Sequence, residues 1–270
     1  MPTQPFRDDR PIVIGMVHLE PLPGSPRFNG SMDAVLEAAR RDATALAEGG
    51  VDAIMIENYG DVPFYPGRVP AETVAGLTAG ALAVRNVVGG LPIGVNVLRN
   101  DAMTAVGIAA VVGAAFVRVN VLTGARVTDQ GVIEGRAAEV MRARRALCPR
   151  LAVWADVDVK HSAPLASRPL SEEVADLVHR GLADAVIVSG GGTGLRTAPD
   201  DVAAVATAAG GVPTVIGSGI TVETIGDYPT AGGFIAGTAL KHDGRVDSPV
   251  DPARVRSLVA AAGKAGEKAA

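Results

Sequence analysis

The chain has 270 residues, 48% of them hydrophobic and 20% charged, with 29 acidic against 25 basic side chains and a formal net charge of −4. Its arginines and lysines are scattered rather than striped, so nothing resembles the basic footprint of a nucleic-acid binder, and a small-molecule partner is expected instead. One cysteine, Cys148, excludes an internal disulfide, and the absence of a Cys/His cluster leaves structural zinc without support; a reducing cytoplasm is the expected location.

The opening MPTQPFRDDRP lacks the basic start and apolar centre of a signal peptide. The longest apolar run, Val106 to Val117, falls short of the roughly 18 residues that suggest a membrane span, so no transmembrane segment is expected.

Eight short apolar runs then recur along the chain. They are IVIGMVHL from Ile12, DAIMIEN from Asp52, PIGVNVL from Pro92, AFVRVNVL from Ala115, LAVWADV from Leu151, DAVIVSG from Asp184, PTVIGSG from Pro213 and GGFIAGT from Gly232. Between them lie stretches such as SMDAVLEAARRDATALAEGG and PAETVAGLTAGALAVRNVVGG, apolar at helical spacing and closed by glycine. Eight βα units whose strands are apolar on both faces predict an α/β fold, a single (β/α)8 TIM barrel, rather than an open doubly wound sheet. An open sheet would want a glycine-rich loop after its first strand, but HLEPLPGSP stands there. One domain over residues 1–270 is expected, its core at about 12–260, preceded by a short arm and followed by a tail after Ala261 that frays.

In such barrels the active site gathers at the C-terminal ends of the strands. Polar residues collect there: His18 and Glu20 after the first run, Glu57, Asn58 and Asp61 after the second, Asn96, Arg99, Asn100 and Asp101 after the third, and Arg118 and Asn120 with the loop TGARVTDQG after the fourth. The fifth ends in WADVDVKH, where alternation places Trp154, Asp156, Asp158 and Lys160 on one face. If Asn96, Arg118 and Asp156 all point inward, they meet from neighbouring strands. Arg118 with Asp156 reads equally as a structural ion pair or as catalytic machinery. Lys160 could act as acid, base or Schiff-base amine, or be a solvated loop lysine.

His18 and Glu20 could hold a divalent metal or form an acid–base pair, but two ligands do not make a site, so no metal and no cofactor is assigned, though a divalent ion stays open. His161 is comparable. Glu57 and Asp61 flank ENYGD, which would bind sugar hydroxyls or order its own loop.

The last three strand ends are rich in glycine: SGGGTG with Ser189, Gly190, Thr193 and Gly194, GSGI with Gly217, Ser218 and Gly219, and GTAL with Gly237 and Thr238. Strands seven and eight begin only 19 residues apart, at Pro213 and Gly232, which leaves space for a small helix at about Thr221 to Asp227. Loops seven and eight of a barrel often bind phosphate through backbone N–H groups and hydroxyls, and these residues fit that part.

The segments GMVHLEPLPGSPRF, IENYGDVPF, GVNVLRNDA, FVRVNVLTGARVTDQGVIEG, ADVDVKHSAPL, SGGGTG, GSGITVET and GTALKHDG, in this order from about Gly15 to Val255, resemble the BtpA/SgcQ family. The resemblance implies the ribulose-phosphate-binding barrel group, a link through the family name to photosystem I biogenesis, and, through other members, to sugar utilisation. The DVDVKH segment is slightly more acidic than the usual form.

Two functions are expected from these residues. The first is an enzyme on a phosphorylated sugar or nucleoside, of lyase, isomerase or glycosyl-transfer type. Asp156 and Lys160 would move protons beside Arg118, Glu57 and His18, while Asn96, Asn120, Asn58, Asp61, Asp158 and His161 contact substrate. The second is a non-catalytic assembly or stability factor. A homo-oligomer is expected because such barrels commonly form one.

Overall fold

Strands that are apolar on both faces are stable only when one face fills a barrel and the other meets helices. That is the arrangement in the computed structural model, which describes residues 4–190 and 197–269. Eight strands, β1 (Ile12–His18), β2 (Ala53–Glu57), β3 (Ile93–Asn96), β4 (Phe116–Val119), β7 (Ala152–Val157), β9 (Ala185–Val188), β10 (Thr214–Ile216) and β11 (Gly233–Ala236), close into a parallel barrel in that order, β11 pairing back to β1. Each begins within one residue of the apolar run that predicts it.

The barrel interior holds Ile12, Ile14, Met16, Met55, Phe116, Trp154, Ile187, Val215 and Ile235. Phe116 and Trp154 stack with ring centroids 4.0 Å apart, and Phe6 from the N-terminal arm lies 5.0 Å from Trp154. Gly94 on β3 makes room for this stack, since a Cβ there would run into the Phe116 ring.

Outside run α1 (Met32–Gly49), α2 (Ala71–Val88), α3 (Ala102–Val112), α4 (Ala137–Leu147), α5 (Leu170–Ala175, continued by a π-turn at Asp176–Arg180), α6 (Pro199–Ala208) and α7 (Pro252–Ala269). Local chemistry sets their ends. Ser31 accepts a hydrogen bond from the Ala34 amide and caps α1, which stops at Gly50 with φ of 87°. Asp101 caps α3 by accepting from Thr104 and also from the Val69 amide, so it anchors two βα loops together.

Three expectations are corrected. The loop TGARVTDQG is a hairpin, β5 (Ala125–Thr128) and β6 (Gly131–Glu134), joined by β8 (Ser162–Pro164) into an antiparallel three-stranded flap. The seventh unit forms no helix over Thr221 to Asp227 but a single 3-10 turn at Ile225–Asp227, because so few residues must also return the chain to β11. The segment after Ala261 stays helical to Ala269, since Gly266 lies against Asp9 and Arg10 of the N-terminal arm and the last turns have a surface to pack on. Among the described residues no helix is long and apolar enough to cross a membrane.

Candidate active site at the barrel mouth

Arg118 on β4 and Asp156 on β7 both point into the mouth and meet there. Nε and Nη2 of Arg118 donate to the two carboxylate oxygens at 2.8 and 2.7 Å. Asn120 donates to the same carboxylate at 3.2 Å and Ser189 Oγ at 3.1 Å. Each oxygen of Asp156 therefore has two donors and its side chain is wholly shielded from solvent. A carboxylate so saturated has no lone pair to offer a substrate proton, so the expected proton-transfer role of Asp156 is corrected to that of a clamp on Arg118. The pair raises the Arg118 pKa further, against the opposing desolvation that is the larger influence.

A second group forms where β1, β2 and β3 end. Asn96 donates to Glu57 Oε2 at 2.5 Å, and Glu57 Oε1 lies 4.0 Å from His18 Nε2. The His18 ring stacks on Tyr59 at 4.6 Å. Burial, reinforced by Lys241, Lys160 and Arg118, holds the His18 pKa down to about 3, so the imidazole is neutral at ordinary pH. The partner of His18 is Glu57 and not Glu20, which is exposed. Among the described residues no group of three His, Cys, Asp or Glu side chains could hold a metal ion.

The WADVDVKH segment departs from its expected alternation. The strand ends at Val157, and Asp158 and His161 take left-handed backbone angles, φ of 50° and 57°. The turn swings Asp158 outward, where it pairs with Arg126 of the flap, so its expected place at the mouth is corrected. His161 is exposed and does not line the mouth cavity. Lys160 returns to the mouth, its carbonyl oxygen accepting from Arg99 Nη2 at 2.7 Å. Desolvation and then Arg118 lower the Lys160 pKa.

Asn58 and Asp61 are likewise corrected from substrate contacts to loop-ordering residues. Asn58 donates to Asp61 and accepts from the Leu98 amide, and Asp61 accepts from the Leu22 amide. Their polar atoms are spent on the chain itself.

The mouth encloses about 650 Å³, lined by His18, Glu57, Arg118 and Lys160 on one side and by Gly217, Ser218, Gly219, Gly237 and Thr238 on the other. The glycines are there for space. A Cβ on Gly237 would lie 2.9 Å from His18 Cε1, and one on Gly217 would lie 3.2 Å from Arg118 Nη2. Ser218 Oγ is buried with no hydrogen-bond partner among the described residues. Ser189 turns to Asp156 and neither it nor Gly190 lines the cavity, while Thr193 and Gly194 lie outside the described residues.

Tyr59 and Arg254 also line the mouth, and strand-end counting did not single them out. Tyr59 follows Asn58 in the ENYGD segment, so its aromatic ring was a visible signal; Arg254 comes from α7, far along the chain, and carried none.

The BtpA family model matches residues 9–264. Photosystem I biogenesis protein BtpA of Synechocystis is 46% identical over 259 residues, covering 96% of this chain and 90% of that protein. An uncharacterized protein of Thermococcus kodakarensis is 49% identical over 252 residues, covering 93% and 95%. Among solved structures, 3-keto-L-gulonate-6-phosphate decarboxylase from Vibrio cholerae superposes with a TM-score of 0.58 at 13% identity, over 96% of this chain and 98% of that one. The N-(5'-phosphoribosyl)anthranilate isomerase of Pyrococcus furiosus gives 0.57 at 12% identity, over 94% and 99%. At such identities the likeness is one of fold, the (β/α)8 barrel.

Proposed function

This chain belongs to the BtpA family, and we propose that it is an enzyme acting on a small phosphorylated metabolite, a sugar or nucleoside phosphate, by acid–base chemistry of the lyase, isomerase or glycosyl-transfer type. The observation that carries the proposal is the two-sided cavity. A glycine-rich edge with a hydroxyl, Ser218, that has no partner among the described residues faces a cluster of ionisable groups in a cavity of about 650 Å³. A buried hydroxyl without a partner costs about 1–3 kcal/mol, a cost that a bound phosphate oxygen would offset. The decarboxylase and isomerase named above have substrates that are phosphorylated compounds, as their names state, which agrees with this reading.

In the proposed reaction the phosphate sits against Gly217, Ser218, Gly219, Gly237 and Thr238. Glu57, held by Asn96, takes a proton from substrate carbon or hydroxyl. Neutral His18 donates a hydrogen bond rather than a proton, and Arg118, fixed by Asp156, stabilises developing negative charge. Lys160, whose pKa is lowered first by burial and then by Arg118, gives or accepts a proton.

The test is a thermal-shift screen of the purified chain against phosphorylated sugars and nucleotides, with Ser218→Asp in parallel. A ligand at a hundred times its Kd adds about 2.7 kcal/mol of stability. A shift that Ser218→Asp abolishes supports the proposal; a broad panel without any shift overturns it.

The second reading, a non-catalytic assembly factor, follows the name of the Synechocystis relative, a photosystem I biogenesis protein. It is favoured by the flap, whose Val127, Val132 and Leu165 face solvent. Loss of a partner on flap substitution, with the mouth intact, would support it.

A further inference from the structure

Lys160 is one of only four lysines in a chain with 25 lysines and arginines together, the others being Lys241, Lys264 and Lys268. Lys241 is buried and spent, donating to the Ser248 carbonyl at 3.0 Å and facing Asp42 at 3.5 Å. Lys264 stands exposed on α7. Most of this chain's cations are arginines, which cannot release a proton; at the mouth Lys160 adds, beside Arg118, an amine that can.

The surroundings suit an uncharged amine. Lys160 lines the cavity beside Arg118, its backbone is held by Arg99, and its Nζ has no hydrogen bond or ion pair among the described residues. Burial first and then Arg118 work against the ammonium form and outweigh the opposing pull of Glu57 and Asp156, with Arg99 adding to the lowering. Glu57 lines the same cavity with one oxygen held by Asn96 and the other toward His18, which puts a carboxylate in the cavity that the amine lines.

We infer that Lys160 condenses with the carbonyl carbon of the substrate to form an imine, which makes the substrate an aldose or ketose phosphate rather than a nucleotide. This rests on the phosphorylated-metabolite reading above and narrows it. The Nζ lone pair forms the N–C bond as the C=O π pair moves to oxygen. One proton passes from nitrogen to that oxygen through Glu57, and the second nitrogen proton follows by the same relay, so that the oxygen leaves as water and Glu57 ends as the carboxylate it began as. The nitrogen lone pair then closes the C=N bond. One water is released, no electrons are gained or lost, and the imine is an electron sink for cleavage or isomerisation at the neighbouring carbon.

The full chain is incubated at pH 7 with sodium cyanoborohydride and, separately, dihydroxyacetone phosphate, glyceraldehyde 3-phosphate, ribulose 5-phosphate, glyceraldehyde or formaldehyde, and the lysine peptides are weighed. The expected result is a sugar-phosphate adduct on the Lys160 peptide alone, lost in Lys160→Arg, together with dimethylation of Lys160 by formaldehyde severalfold faster than of Lys264. Lys160→Met, which keeps the apolar stem, checks that the fold survives. A sugar phosphate that shifts the melting point but is never trapped overturns the imine and leaves the phosphate site standing. Trapping of glyceraldehyde but of no phosphorylated sugar supports the imine and overturns the phosphate reading. Lys160 labelled no faster than Lys264, with no adduct from any probe, overturns the inference.

Discussion

Arg118 and Asp156 face each other from adjacent barrel strands and share two hydrogen bonds of 2.8 and 2.7 Å, out of reach of solvent. Such a pair is weak evidence of stabilisation, because desolvating two charges offsets most of their attraction, but removing one partner strands the other. Asp156→Ala should therefore destabilise the chain by about 3–5 kcal/mol, while Arg118→Met combined with Asp156→Leu should recover most of that loss. Urea unfolding of the single and double variants measures the difference; equal losses in both would show that the pair is not what couples β4 to β7.

Acid stability should carry the signature of His18. The unfolded chain protonates this imidazole near its ordinary 6.5 and the native chain only at about 3, so between those pH values the unfolded state binds more protons. Stability then rises with pH across that window and is lost on acidification through it, by on the order of 5 kcal/mol. His18→Gln should flatten the slope between pH 6.5 and 3. An unchanged slope in the variant would mean that other groups set the acid limit.

Ser218→Ala should separate stability from binding. Its hydroxyl is buried without a partner among the described residues, so removing it should raise the melting midpoint of the empty protein slightly, by up to about 1 kcal/mol of stability. The same change should weaken a phosphorylated ligand found by screening. Denaturant curves with and without that ligand read both signs; a variant that is destabilised when empty contradicts the role given to this serine.

The flap should be tethered by one residue. Arg126 on β5 donates to Asp158, to Ser162 Oγ at 2.7 Å and to Glu173 at 3.4 Å, joining the hairpin to the turn that carries Lys160. Arg126→Ala should raise hydrogen exchange in β5, β6 and β8 while leaving the barrel strands protected. Exchange that rises equally in β4 and β7 would show the flap and barrel opening as one unit.

The barrel was legible because its strands are buried on both faces and therefore read as continuous apolar runs, and the inward aim of Arg118 and Asp156 followed from period-two alternation. That same rule failed at Asp158, where the ladder stops and a left-handed residue resets which way each side chain points. Alternation is a property of a paired strand and has no hold one residue beyond it. The flap reads as a loop in the sequence because TGARVTDQG carries turn chemistry in Thr, Asp and Gly, while its strands are only four residues each. The grouping of Glu57, Asn96 and His18 needed the barrel register, His18 beside Glu57 and Glu57 beside Asn96, which no single strand contains. The saturation of Asp156 by four donors depended on Ser189 and Asn120 arriving from separate strand ends, and residue types alone do not reveal such a coincidence.

The aromatic stack in the barrel makes the chain its own optical reporter. Trp154 is the sole tryptophan, fully enclosed, with Phe116 on one side and Phe6 near by, and Asp156 stands two residues farther along the same strand. Its fluorescence should be blue-shifted in the native chain and move to the red when water enters. Its emission would thus follow the barrel interior and the arm that carries Phe6, so that water reaching the core is read without attaching a dye.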